Sequence, residues 1–596
     1  MSKRKSKHRR RSFPTANTGA PKKPKLITPA SALTLDEYPQ PKHRDGIEQL
    51  IIAIILAVLF RSFEAEAFII PTGSMAPTLQ GKHKDVKCPQ CGYRFRTGVA
   101  NGELSMVTCP SCNYDLELFS RRNETPTFSG DRILVNKFAY QFGDPERWDV
   151  IVFKNPTNAK QNYIKRLVGL PNETIRIKHG NVFAKPQGEN TFEILRKPPH
   201  KVKAMLQMVH DTDYISPALA ASAWPARWFD PEGGGEGWEM SEDRGRYTLK
   251  AGADTKWLHY QNLIPNELDW KKIKAGTVDP NEARPQLITD EYAYNLADGH
   301  RIYSGWHWVG DLAVETDVKI ASGTGTLLVE LIEAGHHFTA TFDLASDEVT
   351  LQMNDGAAPF LNGATTLTGD RGIGGAGRYK IMFANVDDRL LLWINNRLVK
   401  WNADGQANVE ASYALDTTLP SFTASDPGDM NPVRIGGNNV DLEVTRLKVL
   451  RDIYYIACSS SNPHLAVDYD WERRLSPETL RDQVANMMRD PAQWTREGLF
   501  GLRDVVEFTM EDDQFFPMGD NAPRSQDARL WGGLKTRAGG KPFPPDYPDA
   551  HKVVGHFVPR SQMIGKAFLI YWPHGWPILG GKLPIIPNVQ RMGRIR

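Results

Sequence analysis

Residues 162–171 read Asn-Tyr-Ile-Lys-Arg-Leu-Val-Gly-Leu-Pro, a strand-like pattern that encloses Lys165 between apolar side chains. Burial removes water from a charged ammonium group, so the pKa of this lysine is expected to fall by roughly 2–3 pH units from its free value of about 10.4. The neutral amine could then act as a general base at about pH 7–8. The alternative is a strand lysine that extends its charged end into solvent.

Three other segments carry polar groups that could act together with this lysine. Residues 71–79 read Pro-Thr-Gly-Ser-Met-Ala-Pro-Thr-Leu and place Ser74 in a turn, while residues 130–140 have a strand-like apolar centre. Residues 516–532 contain a Gly-Asp-Asn turn followed by Ser525, Asp527 and Arg529. An exposed serine is mostly just solvated, so none of these segments identifies a site alone.

An apolar run ahead of the serine predicts a membrane anchor. Residues 50–60 are uninterrupted apolar residues, and with their flanks they approach the about 20 residues that a spanning helix needs. We therefore expect a transmembrane anchor at 46–66 behind a disordered basic arm at 1–45. The basic arm would be cytoplasmic and the rest exoplasmic. The alternatives are a buried helix and a cleaved signal peptide with a small-residue site at 65–67.

Taken together and in this order, the four segments resemble the bacterial type I signal peptidase (leader peptidase) family. The matching pieces are the boxes Ser-Met-x-Pro-Thr-Leu, Gly-Asp-x-Ile-Leu-Val, Tyr-Ile-Lys-Arg-x-Val-Gly-Leu-Pro and Met-Gly-Asp-Asn-x-x-x-Ser-x-Asp-x-Arg. They cover well under half of the chain. The resemblance implies a mostly β fold whose antiparallel catalytic core lies at 67–82, 128–185 and 505–580.

The resemblance also implies catalytic roles. Ser74 would be the nucleophile and Lys165 the general base, with Ser525 orienting the lysine amine. The backbone amide of Ser74 and the hydroxyl of Thr72 would form the oxyanion hole. The stretch from Ala522 to Ser525 departs from the polar lead-in usual in the family, which affects the expected loop geometry but not the Ser525 hydroxyl.

Further residues would support the site and bind substrate. Asp527 is expected to pair with Arg166 and Arg529. A shallow apolar slot for the small residue before the scissile bond would be lined by three side chains, those of Ile70, Met75 and Ile164.

The expected function is the cleavage of signal peptides from exported preproteins, without a catalytic cofactor. The partners would be preprotein signal peptides, the lipid bilayer and the secretion translocon, in the inner cell membrane. With a net charge of +3 over 596 residues, the chain has no nucleic-acid-binding signature. The preproteins that are cut and the oligomeric state cannot be read from the sequence.

Two Cys-x-x-C knuckles predict a zinc ribbon at 83–127. The four thiols are Cys88, Cys91, Cys109 and Cys112, and each knuckle is followed by a turn residue, Gly92 or Asn113. A zinc ion held by four protein ligands would be structural. Disulfide pairing is the alternative on an oxidising face of the membrane.

A second insertion separates the lysine box from the Gly-Asp-Asn box, at 186–504. Alternating apolar residues predict a jelly-roll-like β-sandwich at about 304–452, followed by an amphipathic helix that starts near Ser476. A basic tail is expected at 581–596. The sandwich could bind a glycan or a peptide, or act as a spacer.

Two other classes of protein compete with the protease. The chain could be an anchored binding protein that works through the sandwich, but a catalytically dead core should have lost Ser74 or Lys165. It could also be a self-cleaving serine–lysine repressor, but that class lacks the anchor and carries a DNA-binding domain.

Overall fold

The computed structural model describes residues 42–59, 65–99, 104–118, 125–156, 158–233, 237–295, 305–415, 419–458, 467–469, 483–531, 555–573 and 588–596. Its labelled α-helices are α1 (Lys42–Leu59), α2 (Ala139–Phe142), α3 (Pro199–Met205), α4 (Pro217–Ala220), α5 (Glu267–Ala275) and α6 (Ala528–Trp531), and residues 483–487 are also helical. Its first strands are β1 (Ala65–Ile69), β2 (His83–Lys87), β3 (Arg94–Gly98), β4 (Met106–Thr108), β5 (Asp115–Glu117), β6 (Thr127–Phe128), β7 (Arg132–Asn136), β8 (Val150–Asn155), β9 (Asn158–Gly169), β10 (Glu173–Lys178), β11 (Asn181–Pro186) and β12 (Glu193–Ile194).

The remaining strands follow in the second insertion and the C-terminal part. They are β13 (Gln207–Asp211), β14 (Trp228–Phe229), β15 (Glu239–Met240), β16 (Arg246–Leu249), β17 (Lys256–Tyr260), β18 (Leu312–Glu333), β19 (His336–Asp343), β20 (Glu348–Met353), β21 (Thr366–Gly369), β22 (Gly377–Asn385), β23 (Leu390–Ile394), β24 (Arg397–Leu398), β25 (Trp401–Ala403), β26 (Gln406–Val409), β27 (Val433–Arg451), β28 (Val505–Thr509), β29 (Gln514–Met518), β30 (Val558–Pro559), β31 (Met563–Trp572) and β32 (Gly593–Arg594). The mostly β fold that was predicted is confirmed.

Helix α1 overlaps the predicted anchor at 46–66. It begins in the polar stretch Lys-His-Arg-Asp at 42–45 and ends at Leu59. Within the described ranges, no helix combines the length and the apolar character needed to cross a membrane. The membrane-spanning helix that was expected from the sequence is therefore not found there, and residues 1–41 of the predicted arm lie outside the described residues.

An antiparallel sheet, here called the core sheet, holds the boxes together. Its strand order is β1-β7-β31-β8-β9-β29-β30, and β32 pairs with β31. Strand β7 alternates between buried and more exposed side chains, as expected for a strand that covers an apolar core, whereas β8 and β29 are buried at nearly every position. Because β9 lies between β8 and β29, the lysine box and the Gly-Asp-Asn box become neighbours although more than 340 residues separate Arg166 from its register partner Met518.

Two small features flank the core sheet. A second sheet has the strand order β12-β11-β10-β28. Its strands β10, β11 and β12 follow the lysine box, and β28 precedes the Gly-Asp-Asn box. The segment 588–596, part of the predicted basic tail, returns to the core sheet through β32, and Ile595 packs against the apolar cluster that contains Ile70 and Met75.

The ribbon segment consists of two hairpin-like pairs. β2 pairs with β3 around the first cysteine knuckle, and β4 pairs with β5 around the second. Gly92 and Asn113 have φ angles of 76° and 55°, so both knuckles close through left-handed residues. The positions predicted to make the tight turns therefore do so.

The second insertion is built on two long strands, β18 and β27, which pair with each other along most of their length. β18 also pairs with β22 through its first half and with β19 through its second half, so the sheet bends at register shifts and wraps an apolar interior. A sandwich-like sheet was predicted for 304–452, and the observed sheet is larger. Strands β13, β16 and β17, which precede that range, also pair with β27.

Buried ionic groups tie distant parts of the second insertion together. Lys197, just after β12, contacts the carboxylates of Asp387 and Asp452 at 2.5 and 2.7 Å. His307 lies between the carboxylates of Asp290 and Asp468, at 2.8 and 3.2 Å. Burial alone would lower the pKa of His307, but the two carboxylates raise it to about 10 and keep the ring charged.

Part of the predicted amphipathic helix is described. Residues 483–487 are helical, and Val484, Met487 and Met488 are buried in one apolar cluster. The start that was predicted near Ser476 lies outside the described residues.

Candidate active site

Ser74 lies in a single helical turn, Gly73–Met75, between β1 and β2. The backbone amide of Ala76 donates to the carbonyl oxygen of Gly73 at 3.0 Å and closes the turn. The amide of Asn521 donates to the carbonyl oxygen of Ser74 at 3.1 Å. The Ser74 side chain is therefore held on the core sheet, in contact with the Gly-Asp-Asn turn.

Lys165 reaches the serine from strand β9. Its Nζ atom lies 2.8 Å from Ser74 Oγ and 3.1 Å from the carbonyl oxygen of Ile164. The side chain is 4% exposed, and burial lowers its pKa from the ordinary 10.5 to about 8, although the carboxylates of Asp527 and Asp520 partly oppose this. A substantial fraction of the amine is therefore neutral at physiological pH, while it faces the hydroxyl.

Two buried arginine–aspartate pairs surround the dyad, and the predicted pairing is partly wrong. Asp527 accepts hydrogen bonds from Arg529 at 2.8 and 2.9 Å, as expected. Arg166 instead makes two hydrogen bonds of 2.7 Å to Asp520, so Asp527 does not pair with Arg166. The register of β9 against β29 is the reason, because it brings Arg166 beside Met518 and the turn that immediately follows.

The Gly-Asp-Asn turn contributes residues that were not assigned from the sequence. Asp520 is fully buried, and Thr78 donates to its second carboxylate oxygen at 2.5 Å. Asn521 donates its side-chain amide to the carbonyl oxygen of Gly73 at 3.1 Å. Both lie in the Met-Gly-Asp-Asn box, so the box itself was the signal that pointed to them.

Ser525 lies beside the dyad without a hydrogen bond to it. Its hydroxyl is buried and has no hydrogen-bond partner among the described residues. A methyl group placed on Gly519 would lie 2.1 Å from Ser525 Oγ and 2.5 Å from the Ser74 carbonyl oxygen. The two serines thus meet at Gly519, where only a hydrogen atom fits.

The expected oxyanion and substrate residues occupy different environments. Thr72 is exposed, and its hydroxyl does not cap the turn. Ile70 and Met75 are 2% and 0% exposed and belong to the apolar interior of the core sheet, while Ile164 packs against the same cluster and is half-buried. Among these three, only Ile164 offers appreciable surface in the conformation described.

The four predicted metal ligands come together. One ligand atom from each of Cys88, Cys91, Cys109 and Cys112 lies within 4.8 Å of the others. The Sγ atoms of the 88–112 and 91–109 pairs are both 3.6 Å apart. That distance exceeds the about 2.05 Å of a disulfide and is close to the about 3.8 Å edge of a tetrahedral zinc–thiolate site with bonds of about 2.3 Å. The four thiols could therefore bind one metal ion.

A serine hydroxyl and a lysine amine at hydrogen-bond distance define the serine–lysine class of hydrolytic site. Residues 112–214 match the family model "Signal peptidase, peptidase S26". This matched range contains Lys165 but neither Ser74 nor Ser525.

Curated relatives agree with the family model. The "Probable signal peptidase I-2" of Synechocystis sp. is 29% identical over 140 residues, which are 22% of this chain and 42% of that protein. "Signal peptidase I" of Pseudomonas aeruginosa is 32% identical over 135 residues, 21% of this chain and 31% of that protein. The chain therefore spans less than half the length of each. These matches confirm the resemblance to type I signal peptidases.

Solved structures match this chain only weakly. The carbohydrate binding module CBM66 from Bacillus subtilis aligns with 38% of this chain and 94% of that chain, at 12% identity and a TM-score of 0.17. A score this low does not bear on the fold or the function.

Proposed function

We propose that this chain is a membrane-bound signal peptidase that cleaves N-terminal signal peptides from exported preproteins through a Ser74–Lys165 dyad. The observation that carries the proposal is the 2.8 Å separation of Lys165 Nζ from Ser74 Oγ in a buried site. The names of the curated relatives support the same substrate class.

The chemistry follows from the charge state of the lysine. The neutral amine of Lys165 takes the proton of Ser74 Oγ as the oxygen attacks the scissile carbonyl carbon. The resulting ammonium group gives that proton to the leaving amine when the peptide bond breaks, which leaves an acyl group on Ser74. Water then attacks the acyl carbon, the lysine takes a proton from that water, and Ser74 regains its hydrogen when the acid product leaves.

Other residues would assist these steps. The Ser74 amide and the Thr72 hydroxyl would stabilise the oxyanion, for which Thr72 must turn toward the reacting carbonyl. Ser525, whose hydroxyl is buried and free of a hydrogen bond among the described residues, would donate to or accept from the amine as its charge changes. Ile164, with Ile70 and Met75 behind it, would contact the small residue before the cleaved bond.

Membrane attachment belongs to the same proposal. The apolar run at 50–60 precedes the nucleophile by 14 residues. An anchor there, with a cytoplasmic N-terminus and an exoplasmic catalytic domain in the inner membrane, would bring Ser74 to the place where a signal peptide's cleavage region emerges from the bilayer and the translocon. Carbonate extraction of membranes from cells that express the full chain tests the attachment.

We also propose that the four cysteines hold one structural zinc ion. The thiolates would be its only protein ligands, which leaves no open position for catalysis. Burial of the four thiols and the tetrahedral spacing of their sulfur atoms support this assignment.

The decisive experiment measures cleavage of a preprotein by the purified full chain in detergent. Ser74→Ala and Lys165→Ala should each lower kcat/KM by at least about 1,000-fold, because the two side chains act together and the loss of either one disables the dyad. The size of the cleaved product, read by mass spectrometry, identifies the bond that is cut.

Two matched controls separate the loss of activity caused by removing the dyad from general effects of mutation. Ser216 is a fully buried serine and Lys203 a half-buried lysine, both in the second insertion. Ser216→Ala and Lys203→Ala should retain cleavage. Full activity in Ser74→Ala or Lys165→Ala would exclude the mechanism.

A further inference from the structure

A segment of the second insertion reaches the turn that holds the nucleophile. This segment, residues 289–295, is called the strap, and it ends in a helical turn at Ala293–Asn295. The type I boxes do not include it, and it lies more than 200 residues from Ser74 in the sequence. Its last two residues, Tyr294 and Asn295, are both buried.

Asn295 and Asn521 exchange a reciprocal pair of side-chain hydrogen bonds. The Asn295 amide donates to Asn521 Oδ1 at 2.8 Å, and the Asn521 amide donates to Asn295 Oδ1 at 2.9 Å. Both side chains are nearly solvent-free, at 7% and 1% exposure, so neither bond competes with water. Loss of one partner would leave the other amide buried with unsatisfied groups.

Asn521 is also hydrogen-bonded directly to the turn that carries Ser74. Its side-chain amide also donates to the carbonyl oxygen of Gly73, and its backbone amide donates to the carbonyl oxygen of Ser74, both at 3.1 Å. The side-chain amide hydrogens of Asn521 are thus divided between the turn and Asn295. The orientation of the Asn521 amide plane, and with it the Gly73 contact, is set by Asn295.

Tyr294 packs against the same turn. A methyl group placed on Gly73 would lie 2.0 Å from the Tyr294 ring, and one placed on Gly98 would lie 2.2 Å from it. The Tyr294 hydroxyl donates to the carbonyl oxygen of Lys82 at 3.1 Å. The ring therefore fills the space between the serine turn and strand β3 at the base of the ribbon segment.

The other end of the strap is fixed to the sandwich-like sheet. Arg451, at the end of β27, donates to the carbonyl oxygens of Asp290 and Glu291, both at 2.9 Å. Asp290 in turn holds the charged ring of His307 at 2.8 Å. The strap is thus a fixed connection between the insertion and the serine turn.

We infer that the second insertion supplies a positioning residue to the active site, namely Asn295, which acts through Asn521 on the turn that carries Ser74. The inference rests on the proposed function, because the position of Ser74 matters through its attack on a peptide carbonyl. A displacement of about 1 Å at a reacting group can lower a rate by about 100-fold. No disulfide holds this turn in the described part of the chain, so its position depends on these hydrogen bonds.

The test compares Asn295→Ala with Asn431→Ala in the full chain. Asn431 is the matched control: it has the same 7% exposure, lies in the same insertion, and donates its side-chain amide to the buried carbonyl oxygen of Tyr260. Asn295→Ala should lower kcat for preprotein cleavage by roughly 10- to 100-fold and leave KM within about twofold, because the turn is displaced while the substrate contacts stay. Asn431→Ala should leave both constants unchanged.

A second variant and a second measurement keep the test decisive. Asn295→Asp keeps an acceptor for the Asn521 amide and loses the donor, so its kcat should fall between those of wild type and Asn295→Ala. Hydrogen exchange in a peptide that covers residues 72–79 should be faster in Asn295→Ala than in wild type or Asn431→Ala, which reports on the turn without any substrate.

The outcomes separate this inference from the proposed function. Equal kcat and equal exchange in Asn295→Ala and Asn431→Ala would overturn the positioning role. If wild type fails to cleave a preprotein, the proposed function fails, and the exchange result alone then decides whether the strap holds the serine turn.

Discussion

At the scale of single residues, the charge of Lys165 controls the proposed reaction. Burial brings its pKa to about 8, so at pH values below 8 the neutral fraction of the amine rises about tenfold for each unit by which the pH increases. We expect kcat/KM to increase from pH 6 through about pH 8 and then to level off. Steady-state assays across this range, with the folded state monitored by circular dichroism, measure the midpoint.

A substitution at the same position checks the assignment of that midpoint. Lys165→Arg keeps a cation that cannot lose its proton in this range, so cleavage should be lost at every pH. A midpoint near the ordinary lysine value of 10.5, or a flat profile, would contradict the role of burial.

The pair formed by Arg166 and Asp520 stabilises the site. Both side chains are 0% exposed, and removal of one partner would leave the other charge buried without compensation. Asp520→Ala should therefore lower the free energy of unfolding by about 3–5 kcal/mol, as measured by denaturant unfolding. Asp144→Ala is the control: it removes an exposed pair with Arg560 and should have little effect. Equal unfolding midpoints for the two variants would contradict the importance of burial.

Lys165 and Arg166 show which features of the site could be predicted from the sequence and which could not. The burial of Lys165 was predictable because its neighbours in sequence are apolar and strand-forming. The partner of Arg166 was not predictable, because Asp520 and Asp527 lie in one box and only the register between β9 and β29 distinguishes them.

At the scale of elements, the ribbon segment is packed against the second insertion. The side chain of Trp270, on α5, donates to the carbonyl oxygen of Cys112 at 3.0 Å, and that of Asn113 donates to the carbonyl oxygen of Pro265 at 2.8 Å. Arg227 donates to the carbonyl oxygen of Ser111 at 3.0 Å. The knuckle geometry is thus coupled to a neighbouring element, so loss of the proposed zinc ion is expected to disturb both.

We expect the purified chain to contain one zinc ion and to lose thermal stability when a strong chelator removes it. Binding to thiolates in the folded ribbon adds to the stability of the folded state, and the apo protein lacks that contribution. Elemental analysis and differential scanning calorimetry with and without chelator measure the two effects. Cys112→Ser should reproduce the loss, whereas Cys458→Ser, a buried thiol outside the cluster, should not change the zinc content. A metal-free protein with the same melting temperature would overturn the assignment.

The elements differ in how far the sequence predicts them. The alternation at 336–353 correctly indicated strands β19 and β20, because each has one face in the apolar interior. Strands β13 to β17 were not predicted to join this sheet. They are short and separated by turns, and their partner β27 lies about 200 residues further along the chain, so no local pattern reveals the pairing.

At the scale of the whole molecule, the proposed catalytic groups come together beside one sheet that is assembled from widely separated parts of the chain. The order of the four boxes predicted that Ser74 and Lys165 belong to one site, although 91 residues separate them. The contribution of the strap could not be predicted, since its contacts depend on how the insertion packs back onto the serine turn. The insertion therefore cannot be treated as an independent appendage of the core.

A buried charge network within the insertion also contacts the peptidase core, through the ring of Trp148. Lys197 follows β12 of the small sheet, and its ammonium group contacts Asp387 and Asp452 of the insertion while it lies 5.4 Å from the centre of the Trp148 ring. Burial alone would lower the pKa of Lys197, but the two carboxylates raise it above its ordinary value and keep the group charged. The network thus joins two parts of the molecule through a charge that water cannot replace.

Lys197→Met should lower the free energy of unfolding by about 3–5 kcal/mol, because two carboxylates are left buried with no counter-charge. Denaturant unfolding should be followed both by tryptophan fluorescence and by preprotein cleavage, since the network spans the insertion and the core. If the two parts unfold as one unit, both signals shift together to lower denaturant. The double variant Lys197→Met/Asp452→Asn should recover part of the loss, because one of the two uncompensated charges is removed. An unchanged midpoint in Lys197→Met would contradict the stabilising role of this buried charge network.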